Sequence, residues 1–112
     1  MGIRDEIQKD EAKEFRKNNG IIMRNIITMF RRGWFKSKQL CESVDAYHLT
    51  REDVMDAIEY FSDRNYIETR YADTHESVRP CDADSISDIE MRLCAGGVLV
   101  GKSLIDDVGI DL

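Results

Sequence analysis

Near the end of the chain, Gly96, Gly101, Lys102 and Ser103 in "GGVLVGKS" satisfy the spacing G-x-x-x-x-G-K-[ST] of a phosphate-binding loop. In such a loop the glycines let backbone N–H groups close around phosphate oxygens, the lysine reaches the terminal phosphates and the hydroxyl holds magnesium. The surroundings argue against that chemistry. A phosphate loop follows a buried strand and opens a long helix within a large nucleotide-binding sheet, whereas here nine residues follow Ser103 and the interior "GVLV" is apolar. Val98, Leu99 and Leu104 read better as one packing face, so neither a nucleotide nor any other cofactor is expected.

The other chemistry-bearing residues are equally unpromising. His75, Cys81 and Cys94 match no structural-zinc spacing and lack a fourth ligand. The acidic run "DADSISD", with Asp82, Asp84 and Asp88, has Ser87 where a calcium loop needs its turn glycine and Leu93 where it needs its closing glutamate. His48 and His75 have no Ser or Cys with an acid at motif spacing, so no catalytic residues are expected. Cys41, Cys81 and Cys94 form an odd set without a C-x-x-C pair, which suits reduced thiols in the cytoplasm. No apolar run approaches the roughly 18 residues of a membrane span, and the start lacks the apolar core of a secretory signal.

At 112 residues, 42% hydrophobic and 34% charged, the chain suits one modest core. Residues 5–17 read as a helical arm with few apolar positions, Ile7, Ala12 and Phe15. "NNG" at Asn18–Gly20 is expected to interrupt it and to cap a new helix, which separates an arm, 1–19, from a body, 20–112. In the new helix Ile22, Ile26, Met29 and Phe30 recur at helical spacing, and Gly33 ends it. Ser37 is a candidate N-cap for a short helix carrying Leu40, Cys41 and Val44. Thr50, with Asp53 three residues later, opens a third helix whose Val54, Ala57, Ile58 and Phe61 face inward and which Asn65 closes. "YIETRY" and "IEMRL" alternate as strands on either side of a polar stretch that holds Pro80, the one proline.

Three helices, a strand, a polar loop and a second strand follow the order of a winged-helix domain. "DVMDAIEYFSDRNYIETR" resembles the third helix and first wing strand of winged-helix regulators, and "IEMRLCAGGVLV" resembles their second wing strand and following helix. There Leu93 and Gly97 match a Leu-Thr-x-x-Gly pattern, with Cys94 in place of Thr. The ending "LVGKSLIDDVGI" is similar to the tails of small prophage-associated winged-helix proteins, with Val108 in place of an expected proline. The resemblance implies an α+β winged-helix fold: a three-helix core, a two-stranded β-wing, a short C-terminal helix and an N-terminal helical arm. It also implies a regulator whose third helix enters a DNA groove.

Charge bears on that implication. Residues 1–40 hold ten Lys and Arg against five acids, net +5, and residues 41–112 hold six against seventeen, net −11. The solvent side of the third helix draws on Arg51, Glu52, Asp53, Met55, Asp56, Glu59, Tyr60, Ser62 and Asp63, five of them acids, and phosphate would be repelled there. The expectation is therefore a non-enzymatic module acting through protein association, as a homodimer or with another protein, with Ile7 and Phe15 at the interface. Basic arm and acidic body would complement each other under two-fold symmetry. The alternative is a DNA-binding regulator that grips duplex DNA through Arg24, Arg31, Arg32, Lys36 and Lys38, with Trp34 and Phe35 between them either as core anchors or as part of the grip.

Overall fold

A computed structural model describes the backbone of residues 3–112 and the side chains from Lys9 onward. It is an α+β chain: α1 (Ile3–Met29), β1 (Phe35–Lys36), α2 (Ser37–Val44), α3 (Arg51–Asp63), β2 (Ile67–Tyr71), β3 (Ile89–Leu93) and α4 (Ala95–Gly101). The interruption expected at Asn18–Gly20 is absent. α1 runs through it as one helix of 27 residues, so the boundary drawn between residues 19 and 20 falls inside a continuous element.

The reason lies at the other end of the chain. The C-terminal segment crosses α1 at this point: the Asn19 side-chain amide donates to the Gly109 carbonyl at 2.9 Å, and the Asp111 N–H donates to the Arg16 carbonyl at 3.1 Å. A Cβ on Gly20 would lie 1.8 Å from the Asp111 carbonyl oxygen. Glycine costs about 1 kcal/mol in a helix interior; here that cost is the condition for two backbones to touch. Asn18 and Asn19 are buried by the same contact.

The inward face of α1 is Ile22, Met23 and Ile26, all fully buried, whereas Met29, expected on that face, is 59% exposed. The helix ends at Met29, earlier than Gly33. Gly33 instead sits in the following turn with φ +78°, where L side chains are strained. Phe30 stacks on Phe35, centroids 4.7 Å apart, and draws the chain into β1.

α2 and α3 follow the periodicity of their sequences. Leu40, Val44, Val54, Ala57, Ile58 and Phe61 are all buried. Thr50 caps α3 as expected: its Oγ1 accepts from the Asp53 N–H at 3.1 Å, and the Asp53 carboxylate accepts from the Thr50 N–H at 2.9 Å. The helix closes on Asn65 at φ 60°. The Tyr66 N–H bonds to Phe61 O at 2.9 Å and the Asn65 N–H to Ser62 O at 3.0 Å, the two bonds of a Schellman closure. At α2 the expected cap differs. Ser37 is already the first helical residue, the Lys36 N–H is received by Gln39 Oε1 at 2.8 Å, and the buried Ser37 hydroxyl is turned away to the Ile86 carbonyl.

The sheet has three antiparallel strands in the order β1-β3-β2, one more than the expected pair. Phe35 and Lys36 add to β3 opposite Met91 and Glu90, while β2 pairs along its full length from Ile67↔Leu93 to Tyr71↔Ile89. Two residues between a glycine turn and a helix carry too little alternation to be read as a strand. The polar stretch 72–88 is not free either. It folds back along β2, with Val78 N–H on Thr69 O at 3.3 Å, and buries Pro80 and Ile86 against the body.

The segment Gly96–Ser103 is a helix and its closing turn. Its amides bond within the chain, Val98 N–H to Cys94 O and Lys102 N–H to Val98 O, both at 3.0 Å. Its glycines serve packing: a Cβ on Gly97 would meet the Tyr66 carbonyl at 2.3 Å, and one on Gly101 would meet Ile27 at 2.2 Å. The shared packing face expected for Val98, Leu99 and Leu104 does not form; Val100 is the buried residue, and Leu99 and Leu104 are exposed. Two substitutions separate these roles. Gly97→Ala is expected to destabilise by about 1–3 kcal/mol through overpacking against fixed backbone. Gly96→Ala, whose Cβ makes ordinary contact with the Tyr66 ring at 3.5 Å and the Asn65 carbonyl at 3.7 Å, should be neutral or stabilising by up to about 1 kcal/mol; urea unfolding of both variants measures the difference.

Candidate interaction surfaces

The five cations proposed for DNA are all exposed, and none forms an ion pair among the described residues. Only three come together. Arg24 borders a shallow hollow of about 550 Å³ with Thr28 and Met29, and Arg31 and Arg32 border an adjoining one of about 500 Å³ that shares those two residues. Lys36 lies apart on β1, and Lys38 lines a separate hollow with Glu42 and Asp45.

Trp34 and Phe35 part company. Phe35 is a core residue, but Trp34 is half-buried on the outer face of the sheet, where Arg70 lies 3.6 Å from its ring centroid and Arg92 lies 5.1 Å from it. These two arginines come from β2 and β3, not from the basic first third of the chain. Cross-strand carboxylates complete the arrangement: Arg92 bonds Glu68 at 2.7 Å, Arg70 bonds the buried Glu90, and His75 approaches Glu90 at 3.6 Å. The outer sheet face is thus a set of internally matched charges around one indole.

α3 behaves differently. Its inward residues Val54, Ala57, Ile58 and Phe61 leave Glu52, Asp56, Glu59 and Asp63, spaced four, three and four apart, along the opposite side. Of these four, Asp63 alone has an ion-pair partner among the described residues, Arg79 at 3.5 Å. The acids Asp73, Glu76, Asp82, Asp84 and Asp88 of the following segment are exposed as well.

Phe15 packs within its own chain, edge-on to Tyr60 at 5.4 Å and 85°. The side chain of Ile7 lies outside the described residues. An apolar group does reach solvent on α4 and the segment that follows it. Leu99, Leu104, Ile105 and Val108 are all exposed, Val108 by 82%, and the Leu104 and Ile105 amides both turn back to the Leu99 carbonyl.

The most organised polar cluster escaped sequence reasoning. The Asp107 side chain, 1% exposed, meets Arg64 at 3.4 Å. It accepts from the Tyr60 hydroxyl at 2.5 Å, from the Tyr66 hydroxyl and from the Gly109 N–H at 2.8 Å. Arg64 also lies 4.7 Å from the Tyr60 ring centroid. The available signal was a pair of tyrosines flanking the turn that ends α3 and an Asp-x-Gly turn in the tail; nothing in their spacing joins them. Elsewhere, no group of three or more His, Cys, Asp or Glu side chains among the described residues is arranged to hold a metal ion, and no helix among them is long and apolar enough to cross a membrane. His48 is an exposed turn residue with φ 61°.

Comparison with family models, with curated proteins and with solved structures returns no match.

The Asp107 cluster makes stability depend on pH at both extremes. Burial pushes the Asp107 carboxyl up, but the two tyrosine hydroxyls, the Gly109 amide and Arg64 together outweigh it and hold the group below the ordinary carboxylate range. Burial first, and then the hydrogen bond to Asp107, push Tyr60 up to about 12. A depressed carboxyl stabilises fully above its unfolded value of about 4 and loses that contribution as pH falls through the folded value. A raised tyrosine stabilises fully below about 10 and loses its contribution as pH climbs beyond that. Asp107→Asn is expected to lower stability at pH 7 by about 1–3 kcal/mol and to flatten the acid limb. Urea midpoints across the pH range measure this, and an unchanged acid limb would show that the carboxylate is not what titrates.

Proposed function

We propose that the protein is a non-enzymatic, winged-helix-like module that works by associating with protein, most simply with a second copy of itself. The observation that carries this reading is the exposed apolar residues Leu99, Leu104, Ile105 and Val108, the first three joined through the Leu99 carbonyl, because several large apolar side chains left in solvent by one short segment mark a surface that another molecule covers. The winged-helix comparison is supported by the succession of α1, α2 and α3, the short connection between α2 and α3, the antiparallel pairing of β2 with β3 and the helix that follows. The returned, partly buried 72–88 segment departs from a projecting wing.

Charge then selects the kind of partner. The acidic side of α3 disfavours a phosphate backbone, since affinity for DNA comes mainly from cations meeting phosphates. The same side complements the exposed Lys13, Arg16 and Lys17 of α1 in a two-fold pair, where electrostatics orients the protomers and apolar burial supplies most of the affinity. Light scattering at micromolar concentration is expected to give twice the chain mass, and Leu104→Ser with Val108→Ser to return it to one. A wild-type chain that stays monomeric would remove the homodimer.

A second reading rests on Arg24, Arg31 and Arg32 around the Thr28–Met29 hollow: a regulator that grips duplex DNA with these residues. Salt-sensitive retention of duplex DNA, lost in Arg31→Ala with Arg32→Ala, would establish it in place of the first. The expected result is no retention beyond the weak non-specific range.

A further inference from the structure

Among the described residues the exposed large apolar side chains fall in two places. One is α4 and the tail, with Leu99, Leu104, Ile105, Val108 and Leu112; the other is Met29 and Tyr47. In the tail the usual arrangement is inverted. The Asp107 side chain is turned inward, 1% exposed, and its contacts with Tyr60 and the Gly109 N–H hold the segment, while Leu104, Ile105 and Val108 stay in solvent. Asp106, between the apolar residues, is exposed too and has no ion-pair partner among the described residues. The tail thus offers a partner apolar side chains with one unspent carboxylate among them.

Met29 and Tyr47 have the complementary character. With Ile21 they line the hollow of about 550 Å³ that Arg24 borders, and the adjoining hollow of Arg31 and Arg32 shares Met29. Neither lining contains an acid, and the three arginines have no ion-pair partner among the described residues. A phosphodiester would meet the arginines but leave Met29 and Tyr47 uncovered. An apolar segment that carries a carboxylate satisfies both, since arginine pairs with carboxylate through a planar fork. The two elements also approach each other within one chain: α4 packs on α1 with Gly101 against Ile27, and Ile27 borders the hollow of Arg31 and Arg32. Two copies related by a two-fold can then make the contact twice, each tail entering the other's hollow, and the pair closes. We infer that the segment Leu104–Val108 of one copy docks in the Met29–Tyr47 hollow of a second copy, with Asp106 set against Arg24. The inference rests on the homodimer reading and names the surface that covers its apolar residues.

Sedimentation equilibrium of the full chain and of four variants tests it. Met29→Ser with Tyr47→Ser is expected to weaken dimerisation about tenfold or more and to leave the urea midpoint of the monomer nearly unchanged, because both side chains are more than half exposed. Arg24→Glu and Asp106→Lys should each weaken dimerisation about tenfold, since each reversal replaces an attraction by a repulsion at both contacts. Combined, they should return the affinity to within about threefold of the wild type. Overall charge cannot mimic this pattern: Arg24→Glu makes an acidic chain more acidic and Asp106→Lys makes it less so, which would move dimerisation in opposite directions. No recovery in the combined variant, or a wild-type dimer that all four variants leave intact, would overturn the docking while the homodimer stands. A wild-type chain that stays monomeric would overturn both.

Discussion

A carboxylate taken out of water must be neutralised where it lies, and Asp107 is neutralised by groups from three places in the chain. Tyr60 comes from α3, Arg64 and Tyr66 from the turn that leads into β2, and the Gly109 amide from the tail itself. Removing any partner leaves a buried charge less satisfied, so the four contacts hold one another in place. Because the tail is pinned there, its next residues cross α1 at Asn19 and Gly20, and Ile110 is buried. The ring of Tyr60, fixed by its hydroxyl, packs perpendicular to Phe15 and so holds the first half of α1 against α3.

The same constraint determines which charges face solvent. With the tail and α1 on one flank of α3 and the Pro80 turn against the helix as well, the open side of the helix is the acidic one. The outer face of the sheet reaches the opposite balance. Glu68, Arg70, Glu90 and Arg92 are matched across strands around Trp34, so that face carries little unspent charge. Uncompensated positive charge stays on α1 and on the turn after it.

Local rules were legible in the sequence wherever a short segment contains its own reason. Thr50 with Asp53 caps α3, Asn65 closes it, the inward residues of α3 recur at 3.6, and "IEMRL" alternates. The acidity of the α3 surface was legible too, since the inward positions leave little choice for the outward ones. Where the reason lies elsewhere in the chain, the reading failed. "NNG" carries turn residues, yet Gly20 serves a backbone contact with Asp111. In "GGVLVGKS" the expected packing face of Val98, Leu99 and Leu104 does not form, because Gly97 and Gly101 make room for Tyr66 and Ile27 and Val100 is the residue that is buried. Trp34 sits among basic neighbours in sequence, yet the cations that cover it are Arg70 and Arg92.

The amino-acid sequence by itself determined the helices and strands with strong periodicity, the caps of α3, the inward face of that helix and the uneven division of charge. These depend on neighbours three or four residues apart, or on counting. Only the tertiary structure decided that the first helix is continuous, that a third strand joins the sheet, that the tail carries a buried carboxylate, and that the Asn19 amide is buried against the tail. Each of those depends on a contact across tens of residues, and a glycine or an aspartate carries no mark of a partner that only folding brings beside it.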